Sequence, residues 1–476
     1  MNSYYIASWV LEKVLAISYF VAFLSLSTQV LGLYGKQGIL SIDHLLNLLD
    51  KELGADRFLH LPSVFWFLST DTALKGICLL GMTAASLAFL GFSQSWMLLL
   101  CWVFYLSFVS VGQIFLSYQW DSLLLELGFL GIFFAPLKIE WTPLLGYQIH
   151  PLLMGLVWLL TFKLMFSSGV VKLTNKDASW KNLTALDYHF WTQPLPNPIS
   201  YFFAKLPPLV LKACTATMFF IELVVPFFIF VPGKTQMIAA CLLIFLQILI
   251  IATGNFAFFN LITLGLCLSV VPDQFWVFSS SAIRQTQQST LVASLLIVVL
   301  LPAHIFWIYK TVFEKSQRGD FLLPYMRFIY PWRLSNPYGL FAVMTKSRPE
   351  LILEGSMDGN TWQEYEFNFK PGNIHKAPPF IAPFQPRMDW QMWFASLETF
   401  NENLWLQNLI TRLFEESNDV KDLIALDPFA GRAPQYLRIV KYDYTFSSFS
   451  DLKKNGQWWH RTSLGVYSPT FARDDF

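Results

Sequence analysis

Several ionisable side chains fall inside apolar stretches, where a lipid-facing helix tolerates none. Asp121 and Glu126 lie in "QWDSLLLELGFLG", Lys163 in "LLTFKLMFSSGVVKL", Glu222 in "MFFIELVVPFF" and His304 in "LLPAHIFWIY". Each would cost at least ~2.5–3.5 kcal/mol facing lipid at the bilayer centre, so each must face protein or a watery cavity. Two uses are open. Lys163 can neutralise Glu126 or Glu222 within a helix bundle, which is structural. Alternatively Glu126, Lys163 and Glu222 can line a polar path, as in a transporter. Asp121 lies close enough to a span end to serve a helix N-terminus, and His304 reads as a hydrogen-bonded packing residue.

The elements that position these groups are membrane helices. Of 476 residues, 54% are hydrophobic and 14% charged, well below the roughly 25% charge of a soluble domain. A span needs about 20 apolar residues. Candidate spans start near 12, 74, 96, 121, 148, 209, 235, 256 and 289, about nine in all. The span at 121 is short, and 235–271 becomes two only by turning at Gly254-Asn255. Two longer connections, 33–63 and 172–208, separate them. With nine crossings both connections and the C-terminal tail emerge on one side, free to build one surface. Within the first, "LLNLLDKEL" has the periodicity of a helix lying flat on the interface.

Charge marks a boundary. Residues 1–319 hold 31 Asp, Glu, Lys and Arg, whereas 320–476 hold 34. The expectation is a transmembrane domain over 1–319, with an interfacial loop at 172–208, and a C-terminal globular domain over 320–476. In the tail, "ELILEGSMDGNTWQEYEFNF" alternates as strands do around a turn at Asp358-Gly359, and "PQYLRIVKYDYTFSS" is a second strand. "MDWQMWFASLETF" and "ENLWLQNLITRLFEES" read as helices. The fold class is therefore a polytopic α-helical membrane protein with an α+β, β-sandwich-like soluble domain.

Other classes recede. Net charge is +1, so nothing argues for nucleic acid. Cys78, Cys101, Cys214, Cys241 and Cys267 all lie in apolar stretches, which leaves the tail no disulfide framework or CxxC metal site. That usage favours a bacterial inner membrane over the endoplasmic reticulum. The first apolar segment reads as an anchor, since no basic n-region or cleavage site precedes it. No nucleophile elbow, Walker loop, HExxH or dinucleotide fingerprint occurs, and no cofactor is implied. Lys and Arg counts (Lys36, Lys51, Arg57, Lys172, Lys176, Lys181, Lys205 and Lys212 against Lys13, Lys138, Lys234 and Arg284) would put the long connections and tail in the cytoplasm.

The segment "SWKNLTALDYHFWTQPLPNP" (179–198) is too polar to cross a bilayer, and its prolines forbid a continuous helix. Trp180, Tyr188, Phe190 and Trp191 suit the headgroup level, which makes the segment a re-entrant or interfacial floor beneath the tail. His189 has no Cys, Asp or His neighbour at metal spacing, so no zinc site is expected.

Three blocks, "YQWDSLLLELGFLGIFFAP" (118–136), "SGVVKLTNKDASWKNLTALDYHFWTQPLPNPISYFFAKLP" (168–207) and the stretch from "LEGSMDGNTW" to "MDWQMWFASL" (353–397), together resemble the lipase maturation factor family. Their order and spacing carry the likeness, over about residues 20–465. The resemblance implies a polytopic membrane protein whose globular tail faces the exoplasmic side, against the Lys and Arg count. It also implies a role in bringing client lipases to their active, assembled state. A shorter likeness, "FSSGVVKLTNKDASW", is similar to the membrane part of vitamin K-dependent γ-carboxylases. It implies a catalytic base at Lys172, with Trp180 downstream, acting on a lipid-soluble substrate. The alternative for Lys172 is a side chain snorkelling to water.

Overall fold

The computed structural model describes residues 3–142, 147–276, 290–313, 318–429 and 432–475; Arg284, counted above among the basic residues, lies outside them. Among the described residues the membrane part contains the helices α1 Tyr5–Ser27, α2 Asp71–Phe89, α3 Gln94–Val111, α4 Gln119–Gly131, α5 Pro151–Thr174, α6 Pro208–Leu223, α7 Lys234–Thr253, α8 Phe259–Leu268 and α9 Thr290–Val312. Seven of these regions are long and apolar enough to cross a membrane, α6 continuing as a 3-10 turn to Phe230. The other two, α4 and α8, have 13 and 10 residues, or about 20 and 15 Å at 1.5 Å per residue.

Non-helical chain completes both short helices. Beyond α4, the Ser93 amide donates to the Glu140 carbonyl (2.8 Å) and Phe92 bridges Trp141. Beyond α8, Asp273 caps α1, accepting from the amides of Tyr5 and Ile6 at 2.8 and 3.0 Å. Both segments thus reach the end of the bundle where α1 begins. At the opposite end, Gln37, Gly38 and Ile39 of the first long connection accept hydrogen bonds from Ser417, Arg412 and Asn408 of the tail. The second connection meets the tail there too, through Tyr201 and Ser447. The two connections and the tail therefore share one end.

Local sequence explains much of this. Pro151 starts α5 and Pro208 starts α6, where a missing amide hydrogen loses nothing. Thr70 caps α2. Gly81 of α2 and Gly265 of α8 let those helices close on α1: a Cβ on either would sit 2.6 Å from Phe23 or Val14. In the first connection Ser41 caps a helix over Ile42–Leu53 that buries only Ile42 and Leu46.

The tail holds an antiparallel sheet in the order β2 (Gln363–Glu364), β1 (Pro349–Ser356), β5 (Tyr436–Phe446), β6 (Trp459–Val466), with β7 (Phe471–Ala472) also on β5. A smaller sheet pairs β3 (Glu366–Phe367) with β4 (Ile424–Leu426). Helices α10 (Arg387–Leu397) and α11 (Leu404–Phe414) pack beside them. The turn at Asp358-Gly359 forms as its sequence dictates, with Gly359 at φ +74°. The backbone amides of Thr361 and Asn360 donate to Asp358 and lower its pKa to about 2.

All eight residues of β1 are buried, despite the alternating sequence. Leu351 and Leu353 join the core containing Met388 of α10, while Ile352 packs in a cluster with Tyr201 of the second connection. One continuous core runs from Leu11 of α1 through Leu351 to Leu413 of α11. Residues on both sides of position 319 share it.

Candidate functional site

Three of the buried polar knots among the described residues hold the charges that the sequence places inside apolar stretches. The first centres on Glu126 of α4. Lys163 of α5 donates to its Oε1 at 2.5 Å and to Ser335 Oγ at 3.1 Å. The other carboxylate oxygen accepts from the Asn336 amide (2.9 Å), Asn336 Nδ2 (3.0 Å) and Tyr338 hydroxyl (2.7 Å). His304 of α9, fully buried, has Nδ1 3.5 Å from Glu126. Of the two partners open to Lys163, the fold brings it Glu126, and binds that pair to the chain following α9.

The second knot joins Asp121, near the start of α4, to Arg387 at the start of α10. Arg387 Nη2 lies 2.9 Å from Oδ1 and Nη1 3.2 Å from Oδ2. The guanidinium also donates to the Phe115 carbonyl (2.6 Å) and the Tyr105 hydroxyl (3.0 Å), and Tyr105 donates to Asp121 at 2.5 Å. Burial works against the Arg387 charge, but Asp121 and Tyr105 outweigh it and hold its pKa above the ordinary value. Gln29, just after α1, fixes the same place by accepting from the Arg387 amide (2.8 Å) and donating to the Gln385 carbonyl (2.8 Å).

The third knot holds Lys172 and Glu222. Lys172 Nζ lies 2.7 and 2.6 Å from the two carboxylate oxygens, and 5.4 Å from the centre of the Trp180 ring. Lys172 is buried, so it does not snorkel to water. Its ammonium points at a carboxylate of the next helix. Glu222 thereby has Lys172, and not Lys163, as its partner.

The 172–208 connection folds as three short helices, Ala178–Lys181, Leu186–Thr192 and Pro198–Phe203, the last two separated by the proline-rich stretch 193–197. Its aromatics turn inward more than their types suggested. Trp180 is buried against Phe219, and its Nε1 donates to the Phe341 carbonyl at 2.9 Å. Tyr188 is half-buried under Lys346. Trp191 packs with Tyr201 and Trp459, and its carbonyl accepts from Arg348 at 2.9 Å. His189 meets the ring of Phe341 edge-on, at 5.0 Å between centres. Burial first, then the Lys172 charge, lower its pKa to about 4.

Arg348 and Asn255 are anchors that sequence reasoning missed. Arg348 donates to the carbonyls of Trp191, Gln193 and Pro194, and pairs with Glu350 at 2.7 Å. Asn255, at the α7–α8 turn, donates to the Pro379 carbonyl (2.9 Å) and accepts from the Ile381 amide (2.9 Å). Arg387 had a signal in the sequence. Among the described residues the spans bury four carboxylates, Glu12, Asp121, Glu126 and Glu222, against three lysines, Lys13, Lys163 and Lys172, so a further cation had to come from outside.

Beside the third knot lies a cavity of about 170 Å³, bounded by α5, α6, α7, α8, the second connection and residues 340–341. Among the described residues no group of three or more His, Cys, Asp or Glu could hold a metal ion. The arrangement can bind bundle to tail and receive a small apolar group. Lys172 is paired with Glu222, and both residues line the cavity.

Residues 6–278 match the family model for the lipase maturation factor transmembrane domain, and residues 334–469 that for its C-terminal domain. Lipase maturation factor 2 of Xenopus laevis is 34% identical, with 96% of this chain and 81% of that protein aligned. For lipase maturation factor 1 of Bos taurus the identity is 32%, over 100% of this chain and 90% of the relative. For lipase maturation factor 2 of Homo sapiens it is 33%, over 98% and 82%. No solved structure matches the chain. On two matching domains and relatives aligned over most of both lengths, this integral membrane protein belongs to the lipase maturation factor family.

Proposed function

We propose that this protein is a membrane-anchored, non-catalytic maturation factor for secreted lipases, with its tail on the exoplasmic face. Family membership over nearly the whole chain supports the client class. The closed Lys172–Glu222 pair supports a structural use for the residue that carried the carboxylase likeness. The tail is held to the bundle by Asp121–Arg387 and by the Glu126 knot, so a client would meet one rigid surface made of the tail and both connections. Cysteine usage alone stood behind a bacterial inner membrane; the vertebrate relatives lend it no support.

The test is complementation. Cells lacking their own lipase maturation factors are given this chain together with a secreted lipase, and active lipase in the medium is measured against total lipase protein. The proposal expects specific activity to rise. Unchanged specific activity, with the chain present in the membrane, overturns it.

A further inference from the structure

The cavity beside Lys172 has features that the maturation reading does not use. Most of its wall is hydrocarbon, from Leu164, Met218, Leu246, Phe256 and their neighbours. Cys214 on α6 lines it and is exposed on the outer face of the bundle, so the cavity opens sideways at membrane depth. Its interior holds two side-chain amides. Asn260 of α8 is 5% exposed, and its Nδ2 has no hydrogen-bond partner among the described residues. Among the described residues the Gln247 amide of α7 donates to the Met165 sulfur alone, at 3.9 Å. The hydroxyls of Ser168, Thr253 and Thr263 are spent on carbonyls of their own helices.

A buried polar atom left unpaired is expensive, about 1–3 kcal/mol, and marks a place where a partner is wanted. The partner here must accept a hydrogen bond. It must also be uncharged, because Lys172 and Glu222 already neutralise each other and a second carboxylate would meet Glu222. Size narrows the choice. A cavity of about 150 Å³ admits a benzene ring, so about 170 Å³ takes a compact head group and leaves long chains outside.

We propose that this cavity binds the head of an uncharged membrane lipid bearing ester carbonyl or hydroxyl oxygens, of the acylglycerol class. The Asn260 amide donates to a head oxygen, and the acyl chains run out past Cys214 into the bilayer. This site is independent of the client reading, and its test uses no lipase.

The full chain is reconstituted in phosphatidylcholine vesicles containing one photoactivatable probe: a diacylglycerol, a phosphatidylcholine or a free fatty acid, each with the diazirine at the same acyl carbon. Crosslinked peptides are quantified by mass spectrometry. The diacylglycerol probe is expected to label residues 211–222 and 246–260 about ten-fold more than the other two, a preference of about 1.4 kcal/mol. Unlabelled diacylglycerol should compete. Asn260→Leu should reduce this labelling, and so should Met218→Trp, which fills the cavity without touching the amide; thermal unfolding checks that each variant is folded. Equal labelling by all three probes overturns the proposal, as does undiminished labelling in folded Met218→Trp. Equal labelling by the fatty acid alone overturns the uncharged head.

Discussion

Arg387 and Asp121 lie 266 residues apart in sequence and form a two-point ion pair in which both side chains are fully buried. The pair joins the first turn of a tail helix to the first turn of a short membrane helix. Removing one partner leaves the other charged and uncompensated, at a cost of roughly 3–5 kcal/mol. Arg387→Met and Asp121→Asn should each lower the unfolding temperature of the detergent-solubilised protein markedly. The double variant should lie above the sum of the single effects. Strict additivity would show that the two residues do not interact.

The Glu126 knot gives a more selective test. Lys163→Met should destabilise the bundle, and adding Glu126→Gln should restore part of the loss, because the stranded carboxylate is then neutral. Adding Glu222→Gln instead should make matters worse, since it strands Lys172 as well. Equal rescue by the two glutamines would contradict the pairing.

His189 supplies a pH dependence. The unfolded chain protonates near the ordinary 6.5, the folded protein only near 4. Between those values the unfolded state binds more protons, so stability falls as pH falls, by at most about 3 kcal/mol from this residue. The unfolding temperature should therefore drop as pH falls from 6.5 toward 4. His189→Phe should flatten that part of the profile. A variant as acid-sensitive as the parent would exclude His189 as the cause.

Sidedness can be read with one cysteine. Asn360 is exposed in the β1–β2 turn, and the exposed native thiols Cys214 and Cys241 can be replaced by serine. In sealed microsomes, an impermeant maleimide should label Asn360→Cys only after permeabilisation. Labelling of intact microsomes would put the tail in the cytoplasm, as the Lys and Arg count has it.

Local features of this fold were legible in the sequence and distant ones were not. Long apolar runs announced the seven helices long enough to cross a membrane, because each helix satisfies its own backbone, whereas α4 and α8, read as spans, are too short to cross as helix alone. The Asp358-Gly359 turn was legible because side chain and backbone there bond within a few residues. Lys163 was visibly in need of a carboxylate, and two were on offer; only packing chooses between them. Nothing in the linear pattern says that Arg387 is the cation that reaches Asp121, or that Arg348 gathers the carbonyls of 191–194. The burial of β1 was hidden for the same reason. Its alternation promises one wet face, yet the second connection covers that face with Tyr201.

The central claim is that Lys172 is structural, and replacing the whole ion pair tests it most directly. Lys172→Met alone strands Glu222 and should reduce the amount of protein in the membrane. Lys172→Met with Glu222→Leu exchanges a buried ion pair for apolar side chains of similar size, which is often neutral for stability. In the complementation assay, normalised to membrane abundance, the account predicts that this double variant matures lipase as well as the parent does. Normal abundance with lipase maturation lost would contradict it, and would give Lys172 a chemical role.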